Sequence, residues 1–387
     1  MSAPLRVIGT LLGDIRRKPD MKIKYGGFFK AVGERFDLLD VYDASLVGWP
    51  KYWNALQTFS PSIPRWKARF FKNVPAFEAR SLRAQKHFRS LKGRADVILQ
   101  LGALFDGTFD DCALPVVLYT DNTSSITAQH AISNIFSDAE LKDWMKHESS
   151  FYHRAAHICT RANIVKRSLV TDYGVLADRI SVIGGGISFS DLTEVVRPKR
   201  DSAFTLIFIG TDFYRKGGDL VLKAFARVRL VHPDARLIMV TKDEIPQGLP
   251  LEGVNVYGAS WDRAQINALY SQADVFILPS RHETWGDVLL EAMSFGLPCI
   301  GVYGQAMEEI IIHGETGMLV APENIELLAD EIIKLCEQPD LRQSMGQAAR
   351  RLFTKEFTWD RVVDRLAPIL YAAAHKNPVS DPYPPLS

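Results

Sequence analysis

Residues 275–320 read VFILPSRHETWGDVLLEAMSFGLPCIGVYGQAMEEIIIHGETGMLV. Val275–Pro279 is a short apolar run, which predicts a buried strand. Arg281–Gly286 is a polar loop with a terminal glycine. Asp287 to about Phe295 has helical patterning, Gly296-Leu297-Pro298 stops it, and Cys299–Val302 is a second apolar run. Strand, loop, helix and strand in that order predict a parallel βαβ unit, with the loop at the carboxyl end of its first strand. Ligands of open α/β sheets bind at such ends, and the free N–H groups opening the next helix suit a phosphate.

The same alternation runs outward in both directions. Apolar runs at Arg6–Leu12, Leu38–Tyr42, Val97–Leu101, Pro115–Thr120, His157–Thr160 and Ile180–Ile183 make one set of six candidate strands. Thr205–Ile209, Arg236–Thr241, Val254–Tyr257, Val275–Pro279, Cys299–Val302 and Gly317–Val320 make a second. Amphipathic stretches such as Leu220–Val231 and Leu327–Gln338 lie between them. Asp191–Ala203 is polar, contains Pro198 and separates the sets. The expected class is α/β, with two Rossmann-like domains whose parallel sheets face an interdomain cleft. The expected boundaries are 1–190, a linker 191–203, 204–358, a last amphipathic helix 359–375, and a proline-rich tail 376–387 without fixed structure.

The 387 residues allow two large domains. Forty-six Lys and Arg against 45 Asp and Glu leave a net charge of +1, which argues against a global nucleic-acid binder. Cys112, Cys159, Cys299 and Cys336 are far apart and form no C-x-x-C, so free thiols in a reducing, cytoplasmic setting are expected. No apolar run is long enough for a transmembrane helix. His153 and His157 stand four apart without an obvious third ligand, and His147-Glu148 is followed by Phe151 rather than a second His. No metal site is expected.

Glu283 and Glu291 stand eight positions apart. On one continuous helix that spacing turns by about 80°, so the two would not share a face. With Glu283 in the loop and Glu291 a turn into the helix, both can line one crevice. Two acceptor-only carboxylates suit the hydroxyls of a sugar and a ribose. A basic turn, Arg215-Lys216-Gly217-Gly218, follows the strand ending near Gly210 and suits a diphosphate.

Glutamate, seven residues, glutamate, followed by Ala292-Met293, Gly296, Pro298 and Gly314-Glu315-Thr316-Gly317-Met318-Leu319-Val320, resembles the donor-binding signature of the family-four retaining glycosyltransferases of the GT-B fold. The resemblance is clear from about Phe204 to Leu370 and fades toward the N-terminus. It implies transfer of a hexosyl unit from a nucleotide diphosphate sugar, UDP- or GDP-linked, to an acceptor hydroxyl with retention, and no cofactor. Lys216 then stabilises the leaving diphosphate. The family's usual Arg is Thr211 here, with Arg215 as the candidate substitute. Glu283 holds the sugar, Glu291 the ribose, and the backbone at Trp285-Gly286 with Gly210 the phosphates. Lys242 and Tyr257, at two further strand ends, are placed near the base. Gly26 and Gly27 resemble the family's glycine loop before the first helix, and the long basic stretch Gly13–Ile23 suits an acceptor loop. Asp121, at a strand end, is the candidate contact for the acceptor or the transferred sugar. The other reading of that segment is a helix N-cap. The family also predicts that the last helix crosses back to the first domain. The Gly184-Gly185-Gly186 run suits hinge geometry.

Trp49 to Arg94 holds eleven Lys or Arg and a single acid, Glu78, interleaved with aromatic residues. An anionic membrane surface fits this composition; so does a solvated basic face. The acceptor expected is a glycan, a lipid or a small molecule, and nucleic acid is not expected as a partner. A sugar-nucleotide epimerase of the same fold, or a non-enzymatic membrane or nucleic-acid binder working through residues 49–94, are the alternative readings.

Overall fold

The computed structural model describes residues 4–108, 114–129, 135–187, 203–260 and 262–377. The expected linker, apart from Ala203, lies outside them, as do Cys112 and most of the tail.

The chain divides into two compact units. One runs up to Gly184 and takes in the C-terminal helix from Val362; the other is Gly185–Arg361. The first unit holds a six-stranded sheet of β1 (Arg6–Leu11), β2 (Asp37–Asp43), β3 (Val97–Leu101), β4 (Val116–Thr120), β5 (His157–Thr160) and β6 (Ile180–Val182). Their order is β2-β1-β3-β4-β5-β6, and every pairing is parallel. β3, β4 and β5 are buried along their whole length. That is why β3 (VILQL) and β4 (VVLYT) read as near-continuous apolar runs rather than alternating ones.

The second unit holds β7 (Thr205–Ile209), β8 (Arg236–Thr241), β9 (Val254–Gly258), β10 (Val275–Ile277), β11 (Cys299–Val302) and β12 (Gly317–Val320). They are again all parallel, in the order β12-β11-β10-β7-β8-β9. Beginning from β7, the chain fills one side of the sheet with β8 and β9, then returns to fill the other with β10, β11 and β12. This is the dinucleotide-fold order, and its switch point lies between β7 and β10.

The first unit corrects one expectation. Gly26 and Gly27 do not form a loop ahead of a helix; they lie inside the helix Pro19–Arg35. Gly13–Ile23 is accordingly shorter as a loop, because helix begins at Pro19. Two interior glycines cost about 0.5–1 kcal/mol each. The same helix buries Phe28 and Phe29 fully, each stabilising by about 1.5–3 kcal/mol. Burial outweighs the local preference.

The basic stretch 49–94 is likewise not one surface. The helix Val74–Arg89 buries Phe77, Phe88 and Arg80 in the core of the unit, whereas in the two preceding short helices Trp49, Tyr52, Trp53 and Phe71 are exposed and Trp66 and Phe70 half-buried. Burial lowers the Arg80 guanidinium to about 10.

His157 is buried on β5, with Nε2 3.0 Å from Ser181 Oγ. Burial, helped by the positive charges of Arg179 and Lys166 and opposed by Asp178, lowers the imidazole to about 4. The folded chain therefore holds it neutral where the unfolded chain takes up a proton. Its contribution is complete above the ordinary histidine value near 6.5 and is lost as pH falls toward 4. About 2 kcal/mol is gone at pH 5. Urea midpoints at pH 7 and pH 5 should show that difference in the wild type and lack it in His157→Gln.

Candidate functional site

The switch point of the second sheet gathers the groups that carry charge. After β7 the chain turns through Gly210–Gly217 and enters the helix Gly218–Val231. After β10 it turns through Pro279–Gly286 and enters the helix Asp287–Ser294. Gly217 (φ 76°) and Gly286 (φ 117°) sit at the two helix starts in left-handed conformations, and no side chain caps either start. Two uncapped helix N-termini on adjacent strands bring partial positive charge to one place.

The two turns are stitched together. Arg281 N–H donates to the Arg215 carbonyl (2.9 Å), and Ser280 Oγ donates to the same oxygen (3.2 Å). Arg215 Nη1 donates to the His282 carbonyl (3.0 Å), and its Nε donates to Asp212 Oδ2 (2.8 Å). Arg281 binds Asp219 through both nitrogens (2.7 and 3.0 Å) and also Glu323. At the centre Lys216 Nζ forms an ion pair with Glu283 Oε2, and both side chains are largely buried. The backbone N–H of Glu283 donates to Gln305 Oε1 (3.0 Å), from the loop after β11. Three strand ends thus fix one carboxylate and one ammonium.

Glycine makes this approach possible. A Cβ on Gly217 would stand 2.9 Å from the Pro279 carbonyl carbon and closer still to its oxygen. A Cβ on Gly210 would press on the stem of Lys216, at 2.8 Å from its Cβ.

Glu291 has different partners. Its carboxylate accepts from Arg263 Nη1 (2.8 Å) and from the Tyr270 hydroxyl (3.0 Å). Burial raises its carboxyl despite these two donors. Trp285 is buried and packs edge-on against Phe357, with ring centroids 5.9 Å apart. Lys242 follows β8 and is exposed; Tyr257 is half-buried on the edge strand β9, opposite Val240.

In the first unit, Asp121 follows β4 and pairs with Lys24 (3.5 Å). Burial would raise its carboxyl, but the charges of Lys24 and Arg161 outweigh it and hold the group below the usual range. The helix N-cap in this segment is Thr123, whose side chain accepts from Ile126 N–H (3.3 Å). Alongside runs a buried chain: Lys72 Nζ donates to Ser124 Oγ (3.0 Å), Ser124 Oγ donates to Glu148 (2.8 Å), and the Tyr173 hydroxyl donates to Glu148 (2.7 Å).

Sequence reasoning singled out Lys216, Glu283 and Arg215, which the structure brings together. It passed over His282, Gln305, Arg263 and Tyr270. His282 stood inside the quoted loop; the other three become visible only once strands β7, β10 and β11 are neighbours. Among the described residues no group of three His, Cys, Asp or Glu side chains could hold a metal ion.

Residues 191–352 match the family model described as glycosyl transferases group 1. The matched segment lies within the second unit. The chain is 29% identical to the glycogen synthase of Mycobacterium tuberculosis (strain ATCC 25618 / H37Rv) over 202 residues, 50% of this chain and 49% of that one. It is 30% identical over 190 residues to the N-acetyl-alpha-D-glucosaminyl L-malate synthase of Bacillus anthracis, 47% of this chain and 49% of the relative. The chain thus spans about half the length of the curated relatives it matches. The fold likeness extends further. Sucrose-phosphate synthase from Thermosynechococcus elongatus superposes with a TM-score of 0.64 at 17% identity, covering 96% of this chain and 100% of that one. WaaG, a glycosyltransferase involved in lipopolysaccharide biosynthesis, superposes with a TM-score of 0.62 at 17% identity, covering 95% and 99%. The two units, each built on a six-stranded parallel sheet, have the GT-B fold of these structures.

Proposed function

We propose that the chain transfers a hexosyl unit from a nucleotide diphosphate sugar to an acceptor hydroxyl, with retention at the anomeric carbon. The observation that carries this reading is the Lys216–Glu283 pair at the β7/β10 switch point, between two uncapped helix N-termini. The diphosphate takes the place beside Lys216 and the helix starts, where fixed positive charge stabilises it as it leaves. Glu283, released from Lys216, accepts from the sugar hydroxyls. Glu291 accepts from the ribose with the lone pairs that Arg263 and Tyr270 leave open. Arg215 adds charge to the same turn, and Lys242 and Tyr257 lie toward the base. Asp121 is assigned to the acceptor, which is a glycan, a lipid or a small molecule.

In the transfer, the bond from the anomeric carbon to the phosphate oxygen breaks and its electron pair stays on the diphosphate. The acceptor oxygen bonds to the same face of that carbon, and its proton passes to the leaving phosphate. No covalent enzyme intermediate is required. A transferase named for GDP-mannose and a phosphatidylinositol monomannoside, from Corynebacterium glutamicum, is 32% identical over 170 residues, which supports keeping a lipid among the acceptors.

Thermal unfolding with UDP, GDP, ADP, TDP and CMP tests the donor site. A ligand at about 100 times its dissociation constant stabilises by about 2.7 kcal/mol. One diphosphate should raise the melting temperature of the wild type and fail to do so in Lys216→Ala and Glu291→Gln. A shift with none of them removes the donor-site reading.

A further inference from the structure

The helices Trp49–Gln57 and Ile63–Phe71 form a hairpin built inside out. Trp49, Tyr52, Trp53 and Leu56 recur at the i, i+3, i+4, i+7 positions that a surface helix normally turns toward the core. Here all four face out: Trp49 is 74% exposed, Tyr52 69% and Leu56 67%. Trp49 and Trp53 stack on each other, with centroids 6.4 Å apart. Phe59 and Ile63, at the turn, are also exposed. The first helix buries Asn54 alone, and the second buries no residue.

Polar bonds, with Phe59 edge-on against Trp66 (ring centroids 5.8 Å apart), hold the hairpin instead. Asn54 Nδ2 donates to the Phe70 carbonyl (2.9 Å), and Trp66 Nε1 donates to the Ala55 carbonyl (2.9 Å). Buried Arg80 donates to the Phe71 and Phe70 carbonyls (2.7 and 3.2 Å), tying the end of the hairpin to the body of the unit. The exposed stripe Trp49, Tyr52, Trp53 and Leu56 is therefore not what joins the two helices.

Charge points to what covers it. From Ala44 to Phe77 there is no acidic residue, against five cations. Arg69 is engaged by Glu140 and Lys72 by Ser124. Lys51, Arg65 and Lys67 are exposed and make no ion pair among the described residues. Cations beside exposed Trp, Tyr, Phe and Ile match the headgroup and upper acyl layers of an anionic bilayer, where aromatic rings are favoured. Each helix is nine residues long, about 13.5 Å, too short to span a bilayer but suited to lie in its surface plane. No described helix is long and apolar enough to cross a membrane.

We infer that this hairpin docks the protein on a membrane surface rich in anionic phospholipid, with Trp49, Trp53, Phe59 and Ile63 entering the interface and Lys51, Arg65 and Lys67 meeting the headgroups. The inference concerns the first unit only and does not depend on the donor-site reading.

The test is sedimentation of the full chain with vesicles of phosphatidylcholine alone or with about one third phosphatidylglycerol. Two variants are compared: Trp49→Ser/Trp53→Ser/Ile63→Ser and Lys51→Glu/Arg65→Glu/Lys67→Glu. The wild type should partition at least about tenfold more strongly onto the anionic vesicles, and less so in high salt. Both variants should lose about tenfold or more in partitioning while keeping the wild-type melting temperature and any nucleotide-induced shift. Absence of wild-type binding to the anionic vesicles overturns the inference, as does undiminished binding by the variants. So does a wild-type dimer in light scattering that the apolar variant abolishes without any effect of lipid; a second copy of the chain is then the partner. Loss of the nucleotide shift in Lys216→Ala with lipid binding intact separates the two readings.

Discussion

On the proposed function, replacing Lys216 with Met should cut transfer by about 10²–10³, the effect of removing one group that stabilises developing negative charge. It should also lower stability by about 3–5 kcal/mol, because Glu283 is left buried and charged without its partner. The two losses have different origins and can be separated. The double variant Lys216→Met/Glu283→Gln removes the stranded charge, so its urea midpoint should recover most of the way to the wild type, while turnover and diphosphate binding stay lost. Normal turnover in the single variant would end the role given to Lys216. A double variant as unstable as the single would show that the buried charge is not the source of the instability.

The second large effect belongs to Gly217. Alanine there must hold a left-handed backbone, costing about 1–2 kcal/mol. It must also push its Cβ into the Pro279 carbonyl, an overpacking cost of about 1–3 kcal/mol. Together Gly217→Ala should lose about 2–5 kcal/mol. Gly304→Ala is the matched control: its φ is 81°, but no atom lies within 4 Å of the added Cβ, so only the backbone cost applies. Urea unfolding of both variants reads the difference. Because Pro279 moves when Gly217 gains a side chain, the nucleotide-induced melting shift should weaken in the first variant and survive in the second. Equal destabilisation of the two would mean that the close approach of the turns after β7 and β10 is not what the glycine serves.

How much of this was legible beforehand follows from where the free energy resides. The inner strands were visible because parallel strands buried on both faces leave near-continuous apolar runs such as Val97–Leu101 and Thr205–Ile209, whereas the edge strands β2 and β9 are only partly buried and were legible from the regular alternation of the chain. Lys216 and Glu283 were visible because each lies in the turn that follows such a run, within a recognisable motif. Gly26 and Gly27 misled because glycine is a local signal, whereas Phe28 and Phe29, which pull the helix through them, act by tertiary burial. The basic stretch 49–94 misled for the same reason: sequence does not distinguish Phe77 and Phe88, packed inward, from Phe59, turned outward. The partners of Glu291 were illegible because Arg263 and Tyr270 lie on the helix before β10 and meet the helix after it only when folded.

The ion pair at the switch point has one more consequence. Unliganded, the site already neutralises itself: the ammonium has its carboxylate and the carboxylate its ammonium. A free sugar would have to draw Glu283 away and leave Lys216 unmatched. A bare diphosphate would have to draw Lys216 away and leave Glu283 unmatched. Only a molecule bringing anion and hydroxyls together satisfies both at once. On the proposed reading, a nucleoside diphosphate alone still binds, held by Lys216, the helix starts and its ribose, but the whole donor binds more tightly, because its sugar gives Glu283 new partners as Lys216 turns to the phosphates.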